Sequence, residues 1–302
     1  MYSKYEVSIP EFFGYVTLLQ GYLPFADRKT GRRNVNFSVT SRDDATSSAR
    51  QSLSSAVDDM TWVIKDAPAM KEESFTTTID NHITKIEFQL AQYRFPNRPY
   101  QDVMGSWAKV NETRMEREDF GSFKRNNGWL DDDMKLITKG AATAEEKARK
   151  IYAYVRDNFT CTAYGGTLLS DGVSLKDVFK KKSGTTGDIN LLLLAMLRHE
   201  SITANPVLVS SRSHGKAHPI YPLMDRFNYL VCEAKFGDTN TVYLDASHRM
   251  LGFNKLPELC YSGLAYTLGD LPAPVSLDAD SLTEEEVTNL IIINDDKGFV
   301  EQ

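Results

Sequence analysis

The period of the hydrophobic positions changes along the chain, and each change marks a different kind of structure. In the first third, apolar residues alternate with polar ones. Tyr5, Val7 and Ile9 share one face, as do Val35, Phe37 and Val39, and again Ile86, Phe88 and Leu90. Alternation of this kind predicts strands with one covered face. Residues 61–64 and 75–79 read as further strands. Residues 12–25 are rich in aromatics and turn formers, Ala67-Pro68-Ala69 breaks regular structure, residues 27–31 read as a turn and the polar residues 41–55 as a loop. This part is expected to be β-rich and sandwich-like.

Beyond Pro96 and Pro99, which read as a linker, the period becomes helical. Helices are predicted over residues 106–123, 130–137, 144–159 and 174–181. In the third, Ala148, Ile151, Tyr152, Val155 and Phe159 fall on one face, and Thr143 with Glu146 forms a capping box at its start. Residues 191–197 are then apolar without interruption, so the helix that carries them is buried on all sides. Thr185 with Asp188 caps it, Gly184 and Gly187 allow a tight approach, and Arg198, His199 and Glu200 mark its exit to solvent. Residues 206–210, 227–234 and 241–244 read as strands, with a hairpin turn at 238–240 and a further short strand near Leu264. Residues 211–225 form a long loop. Residues 281–289 read as an acidic linker, and 290–293 as the first strand of something further. Helices, then a buried helix, then an antiparallel meander imply an α+β fold; an open parallel sheet would alternate strand and helix. The expected division is a β-rich domain over 1–95, a helix-and-meander domain over 96–280, and a linker with the start of a further domain over 281–302.

Composition narrows the function. Hydrophobic residues make up 41% and charged residues 25% of the 302, as in globular proteins. A net charge of −6 argues against a general nucleic-acid binder. No apolar run reaches the length of about 20 residues that spans a bilayer, and the N-terminal residues do not read as a signal peptide. Cys161, Cys232 and Cys260 have no metal-ligand spacing and read as small buried hydrophobes, so neither a metal nor a cofactor is expected.

The segment Gly184-Thr185-Thr186-Gly187-Asp188-Ile189-Asn190, with the apolar run after it, then Phe227-Asn228-Tyr229 and Leu244-Asp245-Ala246-Ser247, resembles the bacterial transglutaminase-like family. The resemblance implies a papain-like core in which a Gly-rich loop delivers a Cys to the buried helix, with a His on a following strand and an Asp on a later one. The Cys position falls on Thr186, the His position on Tyr229 and the Asp position on Asp245. Residues 1–95 also resemble the latter part of a β-rich domain that precedes this core in many envelope proteins of Gram-negative bacteria, which implies a periplasmic or envelope location.

The reaction needs a thiolate, an imidazole that takes its proton, and a carboxylate that orients the imidazole. A threonine hydroxyl is a weak nucleophile without an adjacent base. A phenol, with an ordinary pKa of about 10, is a poor base at neutral pH. The pattern therefore implies a degenerate triad of Thr186, Tyr229 and Asp245 in a non-catalytic module. Thr185, Thr186, Asn228, Tyr229 and Asp245 remain as a binding surface for a peptide, a glycan or another envelope protein. The competing expectation is a hydrolase or acyltransferase with a rebuilt site, in which Thr186 uses His214, His218 or His248 as base. For each histidine the plainer reading is a solvated surface residue, and Cys161 follows the first long helix rather than opening the buried one.

Overall fold

A computed structural model of the chain describes residues 1–44, 47–73, 76–237, 239–279, 287–290, 293–294 and 300–301. The N-terminal strand-rich region holds β1 (Ser3–Pro10), β2 (Phe13–Gln20), β3 (Asp27–Asp44), β4 (Ser47–Ile64), β5 (Lys85–Tyr93) and β6 (Gln101–Asp102). They form two antiparallel sheets, ordered β1-β4-β3 and β2-β5-β6. The tight corner at residues 11–12 carries the chain from one sheet to the other, with Phe12 buried against Phe37 and Phe95. Phe88 of β5 meets Tyr5 of β1 at 6.1 Å and Trp62 of β4 at 5.7 Å between ring centroids, so aromatic contacts join the sheets.

Several expectations for this region are corrected. Residues 27–31 are not a turn but the start of β3, and residues 41–44 and 47–55 are not a loop but strand, in a ladder that runs the length of β3 and β4. The strands look polar because solvent reaches them: Arg32 pairs with Glu11 and Asp58, and Arg33 with Asp59. The expected strand at 75–79 is also absent; Ile79–Asn81 is a single 3₁₀ turn capped by Thr78, and residues 74–75 lie outside the described residues. Residues 12–25, read as turn-rich, contain β2.

The helical part follows the predicted spans closely. It comprises α1 (Trp107–Glu116), α2 (Glu118–Gly121), α3 (Asp131–Ile137), α4 (Ala144–Asn158), β7 (Thr160–Ala163), α5 (Leu175–Lys181), β8 (Ser183–Thr185) and α6 (Thr186–His199). Both expected capping boxes form, at Thr143 with Glu146 and at Thr185 with Asp188, and a third forms at Ser174 with Asp177. Residues 186–197 of α6 are all buried. α6 lies across a sheet of β9 (Thr203–Val209), β10 (Tyr229–Phe236), β11 (Asn240–Leu244), β12 (Gly263–Thr267) and β13 (Ala273–Leu277), ordered β11-β10-β9-β12-β13 and antiparallel throughout. α4 and α5 cover its other sides, and one continuous hydrophobic core surrounds it. The fold is α+β.

The expected hairpin turn at 238–240 falls between β10 and β11, though residue 238 lies outside the described residues. Most of the acidic stretch 281–289 lies outside them too, as do residues 291–292; Ile293–Asn294 pairs with Val300–Glu301. Among the described residues no helix is long and apolar enough to cross a membrane.

Candidate functional site

The start of α6 is placed by a parallel pairing invisible in the hydrophobic pattern. β7 runs beside β8, and β8 leads directly into Thr186. The strap after β7 then folds over the helix start. Gly165, at φ +119°, donates its amide to the Thr186 hydroxyl at 3.2 Å, and the Gly166 amide donates to the Asn228 carbonyl at 2.8 Å. That φ lies in the region glycine adopts without strain.

Thr186, Tyr229 and Asp245 meet at one point, and all three are buried, at 0%, 2% and 0% exposure. Asp245 is the hub. Its Oδ2 accepts the Tyr229 hydroxyl at 2.7 Å. Its Oδ1 accepts the Asn190 amide at 2.9 Å, the Ser247 amide at 2.9 Å and the Ser247 hydroxyl at 2.6 Å. A buried carboxylate is tolerable when its lone pairs are filled in this way. Thr186 joins the network by donating to the Ser247 hydroxyl at 3.3 Å. Asn190, one helical turn beyond Thr186, also donates to the Leu230 carbonyl and accepts the Ala246 amide, which locks α6 to β10 and to the Asp245 segment.

Two residues given bland readings in the sequence stand at this point. His248 is not a free surface residue. Its Nε2 lies 3.0 Å from the Tyr229 hydroxyl and 3.8 Å from Asp245 Oδ2, and its ring stacks on Tyr164 at 4.4 Å. With the Tyr229 proton directed at Asp245, the Nε2–H donates to the phenol oxygen. Cys161, half-buried rather than a core residue, places its sulfur 3.8 Å from the Thr186 hydroxyl. Cys232 and Cys260 are buried as expected.

The chemistry of each group follows from its surroundings. Burial first, and the Asp245 charge second, push the Tyr229 phenol far above its ordinary value, so it stays protonated. Burial likewise pushes the Cys161 thiol up, against a smaller opposing pull from the Thr186 hydroxyl, so little thiolate forms at neutral pH. The Thr186 hydroxyl accepts from Gly165 and donates to Ser247, and none of its hydrogen-bond partners is an imidazole.

Of the other expected residues, Thr185 is occupied in capping Asp188, and the Asn228 side chain is bonded twice to Ser211. The histidines of the long loop are tied down elsewhere: His214 to the Asp225 carbonyl, and His218 to the Ile220 and Tyr221 amides. Two prominent clefts are lined by other residues. One runs beside α5 and includes Trp129 and Ser170, and the other lies in the strand-rich region. Among the described residues no three His, Cys, Asp or Glu side chains gather as metal ligands.

Two signals in the sequence could have found more of the site. Ser247 closes the Asp245 segment and His248 follows it directly, and Asn190 lies at i+4 from Thr186 on the same helix face. Cys161 carries no such signal, because its place depends on the β7–β8 pairing.

Residues 134–244 match the transglutaminase-like superfamily, and the chain carries that domain. A crystal structure of a candidate protease from Parabacteroides distasonis aligns with a TM-score of 0.53 at 15% identity, covering 93% of this chain and 45% of that one. This chain thus spans under half the length of that relative, and at such identity the likeness speaks to fold alone. A candidate cysteine protease from Cytophaga hutchinsonii aligns over 95% of this chain and 96% of its own at 12% identity, with a TM-score of 0.34, too low to argue from. No curated protein matches the sequence.

Proposed function

We propose that this transglutaminase-like chain is a non-catalytic module of a cell-envelope protein, and that it holds a peptide, a glycan or a neighbouring protein rather than transforming one. One observation carries the reading: the hydroxyls of Thr186 and Tyr229 are spent in a closed network around buried Asp245. A transferase or hydrolase of this fold needs an exposed thiolate, an imidazole beside it and room for an acyl group. Here a hydroxyl and a protonated phenol stand at those positions, and neither is open to solvent. Loss of nucleophile or base costs several orders of magnitude in rate, so the carboxylate that remains serves to hold α6, β10 and the 245–248 segment together. Thr185, Thr186, Asn228, Tyr229 and Asp245 then contribute to binding through the surface they support.

The test is turnover. Peptide anilides, amides and an acyl-acceptor amine are offered to the wild-type protein and to Thr186→Ala. The expected result is the same background rate for both. Turnover that Thr186→Ala abolishes overturns the proposal.

A second reading, a rebuilt hydrolase or acyltransferase, is favoured by His248 and Cys161, which approach the same network. It requires the strap at residues 163–166 to open and the Cys161 thiol to ionise. Turnover abolished by Cys161→Ser and by His248→Ala, but retained in Thr186→Ala, selects this reading over the first.

A further inference from the structure

The strap over the start of α6 is anchored firmly at its two ends and lightly between them. Before it, Cys161 and Ala163 pair with Gly184 and Thr185 in the β7–β8 ladder. After it, Leu169 is buried, its amide donates to the Asp119 carbonyl at 2.8 Å, and the Ser170 amide donates to Asp188 at 2.7 Å. Between these anchors none of residues 162–167 is buried. The Gly165 and Gly166 amides and the Tyr164 ring tie this stretch down. A segment without buried side chains opens for far less than the cost of unfolding the domain. Gly165 and Gly166 stand at φ +119° and +90°, and glycine changes its backbone angles with little steric resistance. The pair can therefore absorb the change of path that opening requires.

Tyr164 is the outward part of the strap. It is 63% exposed, yet its ring lies on the His248 imidazole, with 4.4 Å between centroids and 22° between planes. His248 is itself fixed by the Tyr229 hydroxyl at 3.0 Å. An aromatic ring laid on an immobilised one makes a contact that stabilises without belonging to the core. The strap covers Thr186, which is 0% exposed. The Cys161 sulfur points the same way, 3.8 Å from the Thr186 hydroxyl and 3.3 Å from the Ala163 carbonyl of the strap.

We propose that the strap at residues 163–166 is a latched lid over the start of α6, and that the stacking of Tyr164 on His248 is its latch. Releasing the ring lets the strap lift about Gly165 and Gly166, and opens Thr186 and Cys161 to solvent and to ligands. The latch controls access alone, so it holds whichever chemistry the network performs.

Cys161 reports the opening. Iodoacetamide is added to the native protein, and alkylation of each cysteine is followed by peptide mass spectrometry. Cys232 and Cys260 are buried, so their alkylation reports global unfolding. Tyr164→Ala is expected to raise the Cys161 rate about tenfold, the worth of one aromatic contact of this kind, with Cys232 and Cys260 unchanged. Tyr164→Phe keeps the stack and is expected to label like wild type. His248→Ala removes the other half of the latch and is expected to raise the Cys161 rate by a similar factor. The double variant, Tyr164→Ala with His248→Ala, should then exceed neither single one, because both remove the same contact. Three results would each overturn the proposal: an unchanged Cys161 rate in Tyr164→Ala, a rise shared by Cys232 and Cys260, or single effects that multiply in the double variant.

Discussion

Asp245 shows what a buried carboxylate requires of its neighbours. A carboxylate at 0% exposure survives because four donors surround it. Removing one donor leaves a buried charge short of a partner, which costs about 1–3 kcal/mol or more. Tyr229→Phe keeps the ring and deletes only the hydroxyl. It is expected to lower stability by about 2 kcal/mol in chemical denaturation, and to leave His248 Nε2 without its partner. If Tyr229→Phe is as stable as wild type, the network is not what holds this part of the fold. Thr186, Tyr229 and Asp245 were legible in the sequence because each sits in a short segment that resembles a family pattern. Ser247 closes the last of these segments without a role of its own, and His248, one residue beyond, is weighed there only as one of three candidate bases beside its plainer surface reading. A histidine with no periodic context reads as surface, and only three-dimensional packing shows the phenol and the aromatic ring that enclose it.

Elements were legible where local rules set them. Helix α6 declared itself through its apolar run, and α4 through its amphipathic face and its cap. β3 and β4 were legible only in part, at residues 35–39 and 61–64; the rest of the hairpin satisfies its backbone groups in its own ladder and carries no alternating apolar face to announce it. The same distinction separates two glycines. Gly187, at the start of α6, faces the strap from β7: a Cβ there would meet the Leu168 carbonyl oxygen at 2.6 Å, and that atom is backbone and cannot step aside. Gly187→Ala is therefore expected to cost about 1–3 kcal/mol through overpacking. Gly31, in the exposed part of β3, has nothing within 4 Å of a Cβ. Gly31→Ala is expected to stay within about 0.5 kcal/mol of wild type. Melting curves of the two variants side by side check both, and equal stabilities would refute the claim that the strap presses on the helix start.

Across the whole molecule, α6 is held at both ends by polar clamps around an apolar middle. The network of Asp245 fixes its start, and Asp270 fixes its exit. Asp270 accepts from Arg198 of α6 at 3.0 Å and from Lys124, after α2, at 3.0 Å, while Arg198 also donates to the Ala204 carbonyl in β9. Helices, sheet and the segment after β12 thus meet at one carboxylate. Burial is the largest single influence on Asp270 and raises its pKa. The hydrogen bonds and charges of Lys124 and Arg198 together outweigh it and hold the pKa below the ordinary 3.8. A carboxyl whose folded pKa is depressed stabilises the fold above its unfolded pKa, and that stabilisation is lost as pH falls through the folded value. The Asp270 side chain is 46% exposed, so solvent screening limits the contribution to under about 1 kcal/mol. Asp270→Asn is accordingly expected to be slightly less stable than wild type at pH 7. The gap should persist at about pH 5 and close once the pH drops below the depressed folded value. It should also narrow in about 1 M salt, where exposed charges are screened within a few ångströms. Urea denaturation of both proteins across this pH range decides it. A gap that stays constant to the acid limit would mean that Asp270 holds α6 by shape and not by charge.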